Sequence, residues 1–168
     1  LASLALVAAY PFMKRITWWP QLWLGLVFSW GVLVAAASVT GAITAAAVAL
    51  YAGTVLWVVG YDTIYALQDV EDDALAGIRS SARALGRNVR GGVAACYASA
   101  LAGWGGAVWL VRPDWLALIA LAPVALHLLW QVAGLDAADP ADALRRFRAN
   151  RTAGLLLFAA CLTVGAAG

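Results

Sequence analysis

Apolar residues fill this chain in long stretches, and the polar positions gather in the breaks between them. A helix crossing the hydrocarbon core of a bilayer needs about 20 apolar residues. Five stretches reach or approach that length, at 21–39, 43–66, 91–111, 115–134 and 152–168. Residues 1–13 read as the tail of another. The breaks carry Gly, Pro or charge: Pro20, the SVTGAIT turn, Arg112-Pro113-Asp114, and the polar run DAADPADALRRFRANR. The pattern predicts an all-α, polytopic transmembrane helical bundle with about five full spans and part of a sixth. No internal repeat interrupts it.

Composition points the same way. Of 168 residues, 64% are hydrophobic and 12% charged, against about 45–50% and about 25% in ordinary globular chains. The net charge of +2 is too small to imply nucleic acid as a partner. Cys96 and Cys161 lie within apolar runs and read as small buried residues rather than a disulfide framework. The chain opens inside an apolar segment without the basic region of a signal peptide. It is expected to be the C-terminal part of a longer, single transmembrane domain.

Charge then sets the orientation. If the helices alternate in direction, Lys14, Arg15, Arg79, Arg83, Arg87, Arg90, Arg145, Arg146, Arg148 and Arg151 fall on one side, and Arg112 alone on the other. An excess of that kind marks the cytoplasmic face. The expectation is a bacterial inner-membrane protein with its acidic cluster facing the cytoplasm. Trp18 and Trp19 flank one interface and Trp109 and Trp115 the other, as in an aromatic belt.

One segment breaks the apolar habit. Residues 60–86, GYDTIYALQDVEDDALAGIRSSARALG, hold five of the nine acidic residues and follow 44 residues, 16–59, with no charge at all. Read as a helix continuing the third span, 60–76 places Asp62, Asp69 and Asp73 on one face, with Tyr65 on the same stripe and Asp72 beside it. Like charges four apart repel, and a carboxylate near lipid costs a few kcal/mol more. A divalent cation removes both penalties. Mg²⁺ takes hard oxygen ligands and commonly binds through one or two carboxylates plus substrate phosphates, which suits the pair Asp69 and Asp73. A solvated loop whose acids balance nearby arginines would explain Glu71 to Asp73, but not Asp62 among Val, Gly, Tyr and Ile.

The spacing of Arg79, Arg83, Arg87 and Arg90 predicts a helical stripe of guanidinium groups. Arg79 and Arg83 read either as bidentate diphosphate contacts or as topological charge; Arg87 and Arg90 read as topological. Lys14 and Arg15 lie within reach of the same face, for phosphate, for a carboxylate, or as flanking charge. His127 reads as a packed, hydrogen-bonded or pore-facing residue. Asn150 and Arg151 read as a cap and a flanking charge for the last span.

Residues 61–82, YDTIYALQDVEDDALAGIRSSA, closely resemble the second aspartate-rich motif of the UbiA superfamily of intramembrane prenyltransferases. The pattern of the 4-hydroxybenzoate polyprenyltransferase branch is YDTxYAxxDxxDDxxxGIKS. Residues 10–31, YPFMKRITWWPQLWLGLVFSWG, resemble the family's YPFMKR…PQ…LG…SWG segment. Four departures stand out: Arg79 replaces a usual Lys, Ser81 a common Thr, Val70 a frequently basic residue, and Glu71 a frequent Asp. They bear on substrate preference more than on reaction class.

The resemblance implies a fold of about nine membrane helices around a central cavity, of which this chain would supply the end of the fourth and the fifth to ninth. The family's first aspartate-rich motif, NDxxDxxxD, would lie upstream of Leu1. The implied reaction transfers a polyprenyl group from polyprenyl diphosphate to the aromatic ring of 4-hydroxybenzoate, in ubiquinone biosynthesis. Asp69 and Asp73 would hold Mg²⁺ on the diphosphate, with Asp62 supporting the site and Arg79 sharing the charge. Arg83, Lys14 and Arg15 are further substrate-binding candidates. Tyr61 and Tyr65 would either face the allylic cation or anchor the interface. The isoprenoid tail would leave sideways into the bilayer.

Two other classes fit less well. A CDP-alcohol phosphatidyltransferase needs a further DxxxD downstream, but after Asp73 no acid appears until Asp114. A cation carrier would place polar residues deep within several spans, where this chain has only scattered Ser, Thr, Gln and His127.

Overall fold

The computed structural model describes residues 2–166, and every regular element among them is a helix. In chain order the helices are α1 (Ala2–Ile16), α2 (Pro20–Phe28), α3 (Trp30–Thr40), α4 (Ala45–Tyr65), α5 (Val70–Leu75), α6 (Ser81–Leu85), α7 (Val89–Val111), α8 (Trp115–Ile119), α9 (Ala122–Ala133) and α10 (Pro140–Ala166). The punctuation acts where the residue types require it. Pro20 opens α2, where its missing N–H costs nothing. Gly41 ends α3 at φ 71°, a left-handed conformation that favours glycine. Asp114 caps α8 by accepting the Leu116 N–H at 3.0 Å.

Among the described residues, four stretches are long and apolar enough to cross a membrane: Pro20–Thr40, Ala45–Leu75, Ser81–Val111 and Trp115–Ala133. The fifth expected span, at 152–168, lies in α10, which already begins at Pro140 and carries the arginines 145–151 before its apolar part. Residues 167 and 168 lie outside the described residues. Large apolar side chains face outward, Phe28 at 67% exposure and Leu116 at 72%, as expected where the surrounding solvent is lipid. Cys161 is likewise exposed and Cys96 half-buried, so only the expectation of apolar surroundings holds for the thiols.

The bundle is built around α4 and α7. Small residues let the two backbones approach, as is common between membrane helices. A Cβ on Gly53 would lie 2.7 Å from the Trp104 ring and 2.8 Å from the Ala100 carbonyl oxygen; one on Gly103 would lie 2.8 Å from the Gly53 Cα. Trp104 fills the crossing, fully buried, with its Nε1 donating to Thr54 Oγ1 at 3.2 Å.

Among the described residues, most polar side chains inside the bundle are paired; Ser29 Oγ is buried without a partner. Asn150 is buried mid-helix in α10, not at a helix start as expected. Its Oδ1 accepts from Trp57 Nε1 at 2.8 Å, and its Nδ2 donates to Gln131 Oε1 at 3.0 Å. Tyr97 donates to the same Gln131 oxygen at 2.9 Å. Four helices meet in this network. His127 is hydrogen-bonded, its Nε2 3.0 Å from the Ala149 carbonyl oxygen. Arg146, expected as a topological charge, is buried. It donates to the Trp130 and Gln131 carbonyls, which closes the end of α9, and its Nε bonds Asp142 Oδ2 at 2.7 Å. The Arg146 hydrogen bond, helped by the Asp136 N–H and Arg145, outweighs burial and holds the Asp142 carboxyl down at about 2.

Two outcomes are expected. Gly53→Val in the full-length protein lowers stability by about 1–3 kcal/mol through overpacking, read as a lower thermal midpoint in detergent. Gly105→Ala, where the nearest atom to a new Cβ is 3.9 Å away, does not. An Asp142 carboxylate depressed from 3.8 to about 2 stabilises fully above the higher value, and that contribution is lost as pH falls between the two. The thermal midpoint of the wild type should therefore drop more steeply from pH 4 to pH 2 than that of Asp142→Asn.

Candidate functional site

The acidic segment does not form the continuous helix expected over 60–76. The α-helix stops at Tyr65, a 3₁₀ turn runs from Ala66 to Asp69, and α5 restarts at Val70. Asp69 sits at the joint with φ −113° and ψ 11°, outside helical geometry. Glu71, Asp72 and Asp73 then occupy the first turn of α5, the end of a helix where negative charge is tolerated best.

The GIRSS sequence that follows has a structural reason at each position. Gly77, at φ 68°, terminates α5. The Ile78 N–H bonds the Asp73 carbonyl at 2.8 Å and the Gly77 N–H the Ala74 carbonyl at 3.3 Å, the pairing of a Schellman motif. The chain reverses, and Arg79 clasps the end of α1. Its main-chain N–H donates to the Lys14 carbonyl at 3.0 Å, its Nη1 to the Ile16 carbonyl at 2.8 Å, and its guanidinium lies over the Trp18 ring at 5.6 Å. Ser80 caps α6 through the Arg83 N–H, and the Ser81 N–H donates to Gln21 Oε1 at 3.0 Å.

These contacts enclose a cavity of about 80 Å³. Asp62, Asp69 and Asp73 line it together with Lys14 and Arg79. Tyr10, Gln21, Tyr65, Ala66 and Ser80 complete the wall. Six of the candidates from the sequence are thus brought together: Lys14, Asp62, Tyr65, Asp69, Asp73 and Arg79.

Three candidates lie elsewhere. Arg15 is exposed and does not line the cavity. Tyr61 packs in an aromatic chain, 5.3 Å from Trp57 and 5.8 Å from Phe147 between ring centroids; Phe147 in turn lies 4.7 Å from Tyr65. Arg83 stacks over Trp18 at 5.4 Å and donates to the carbonyls of Ile78 and Asp73. It faces a neighbouring cavity of about 670 Å³ with Glu71 and Asp72. The expected arginine stripe does not form, because Arg79 precedes α6, Arg83 lies within it, Arg87 sits in a second 3₁₀ turn, Gly86–Asn88, and Arg90 in α7. Arg90 instead donates to the Ala133 carbonyl at 2.6 Å.

The sequence reading passed over Tyr10, Gln21 and Ser80 as site residues. Gln21 carried the clearest signal, an uncharged polar side chain opening an apolar span. Among the described residues no three His, Cys, Asp or Glu side chains converge into a complete metal site. The carboxylates at the cavity fit an ion that takes only one or two protein ligands and completes its shell with water and phosphate oxygens.

The fold and the site together define a multi-pass membrane protein with a carboxylate and cation cavity at its basic end. Residues 1–162 match the UbiA prenyltransferase family, and the chain belongs to it. It is 39% identical over 158 residues to the 4-hydroxybenzoate polyprenyltransferase, mitochondrial, of Drosophila melanogaster, covering 94% of this chain and 40% of that protein. For the proteins of the same name from Rattus norvegicus and Homo sapiens the identities are 42% over 161 residues and 41% over 160, covering 94% and 93% of this chain and 42% of each relative. The chain thus spans about two-fifths of the length of these relatives. The apo structure of a UbiA homolog from Aeropyrum pernix K1 superposes with a TM-score of 0.75 at 27% identity, covering 96% of this chain and 61% of that one. The relatives' names place them in mitochondria, so the expectation of a bacterial inner membrane finds no support in them.

Proposed function

We propose that the full-length protein transfers a polyprenyl group from polyprenyl diphosphate to a ring carbon of 4-hydroxybenzoate, releasing pyrophosphate, as a step of ubiquinone biosynthesis. Family membership and the names of the relatives support this reading. The observation that carries it is the single cavity lined by Asp62, Asp69 and Asp73 together with Lys14 and Arg79. Carboxylates alone would repel a diphosphate, and cations alone would need no metal. The mixture suits a diphosphate that arrives with a divalent ion.

Asp69 and Asp73 would hold that ion, Mg²⁺, with Asp62 supporting them. When bound, it neutralises the charge that develops on the leaving pyrophosphate. Lys14 and Arg79, which line the same cavity, would add positive charge for the same oxygens. The allylic carbon–oxygen bond breaks and its electron pair leaves with pyrophosphate. A ring carbon of the acceptor supplies the pair for the new carbon–carbon bond, and the ring then loses its proton. Tyr65, on the cavity wall, presents an aromatic face to the allylic cation. Tyr61 acts behind it, through Phe147. Arg83 fixes the turn after Asp73 by holding two of its carbonyls. The basic end carrying the cavity faces the side of the membrane that retains positive charge, and the prenyl tail extends into lipid.

Membranes containing the full-length protein are expected to join radiolabelled 4-hydroxybenzoate to a polyprenyl diphosphate only when Mg²⁺ is present. Asp69→Ala and Asp73→Ala should each lower kcat/KM by about 100-fold or more, the effect of losing a few kcal/mol of charge stabilisation. Full turnover by either variant, or undiminished turnover in chelator, would overturn the assignment.

A further inference from the structure

Gln21, in the first turn of α2, is 4% exposed and lines the cavity beside Lys14, Asp62 and Arg79. Its orientation is fixed by chemistry. A peptide N–H can only donate, so the Gln21 atom 3.0 Å from the Ser81 nitrogen is the amide oxygen. Ser81 is itself immobilised. Thr63 gives its hydroxyl proton to the Val59 carbonyl at 2.6 Å, so in the 2.6 Å contact between Thr63 and Ser81 it is Ser81 that donates. Both ends of the Ser81–Gln21 bond are therefore held.

The amide nitrogen is left with two N–H groups. Among the described residues it makes no hydrogen bond to the protein, yet it is not sealed off, because the single buried side-chain polar atom without a partner there is Ser29 Oγ. The opening that Gln21 lines is the acidic cavity. A side chain this buried, with an N–H₂ group and no protein acceptor, is unfavourable unless something entering the cavity accepts from it.

We propose that the Gln21 amide is a substrate-binding group, donating a hydrogen bond to an anionic oxygen of the substrate. The acceptor is a diphosphate oxygen of the donor substrate or a carboxylate or phenolate oxygen of the aromatic one. The proposal rests on the functional reading above. A neutral donor suits this wall, since a third cation there would pair with Asp62 rather than with substrate.

The test uses the full-length protein with saturating Mg²⁺. Gln21→Glu keeps an oxygen for the Ser81 N–H and loses the donor. Gln21→Met keeps the length and loses both. In both variants kcat/KM for at least one substrate is expected to fall about ten- to a hundredfold, the size of one hydrogen bond to a charged group. The substrate whose KM rises identifies the acceptor. Gln21→Met also loses the Ser81 contact, so its thermal midpoint should fall. Wild-type kinetics for both substrates in Gln21→Glu would reduce Gln21 to a structural role and overturn the proposal; so would wild-type kinetics in Gln21→Met, which would leave charge repulsion as the cause in Gln21→Glu. Absence of prenyl transfer by the wild type would instead overturn the functional reading.

Discussion

Arg79 is the residue on which the site depends. Its N–H holds the Lys14 carbonyl and its guanidinium the Ile16 carbonyl, so two segments more than sixty residues apart share one wall. The Ser81 N–H bond to Gln21 and the stacking of Arg83 on Trp18 hold the same segment from its other end. With the clasp in place, Lys14 and Arg79 line one small cavity with Asp62, Asp69 and Asp73. The repulsion among the carboxylates is offset by these cations, and what remains is a place for an ion and an anionic ligand together. Gly77 contributes by letting the chain turn sharply enough for Arg79 to reach α1.

The rest of the bundle supplies a rigid support. Close glycine contacts lock α4 against α7, which fixes the helix that delivers Asp62 and Tyr65. The Trp57, Tyr97, Gln131 and Asn150 network ties four helices together where an unpaired amide in an apolar interior would be costly. Phe147 lies three residues before Asn150 on α10 and packs against both Tyr61 and Tyr65. A polar anchor in the core is thus linked through one aromatic ring to the wall of the site.

Much of this was legible in the sequence, for physical reasons. Helices that face lipid must be apolar along their length, so their extents stand out, and Gly41 and Pro113 mark breaks that backbone geometry demands. Carboxylates at Asp62, Asp69 and Asp73 are too costly at a membrane boundary to be incidental. The 3₁₀ turn at Ala66–Asp69 was not legible, because periodicity assumes that a helix continues until a Gly or Pro stops it, and here neither is present. Nor was the direction of Arg83, which is decided by Trp18, a residue far away in sequence. Asn150 looked like a cap because it follows a charged run. Its partners come from three other helices, and no local pattern reports them.

The clasp can be measured directly. In a full-length protein with its native cysteines replaced by Ala, cysteines introduced at Lys14 and at Ile78, next to Arg79, should be joined within membranes by a short thiol-specific cross-linker, so that the two segments stay together after cleavage between them. Cysteines at Lys14 and Arg112, at opposite ends of the bundle, should not be joined. Failure of the first pair to link, or linking no better than the second, would contradict the account of how this site is assembled.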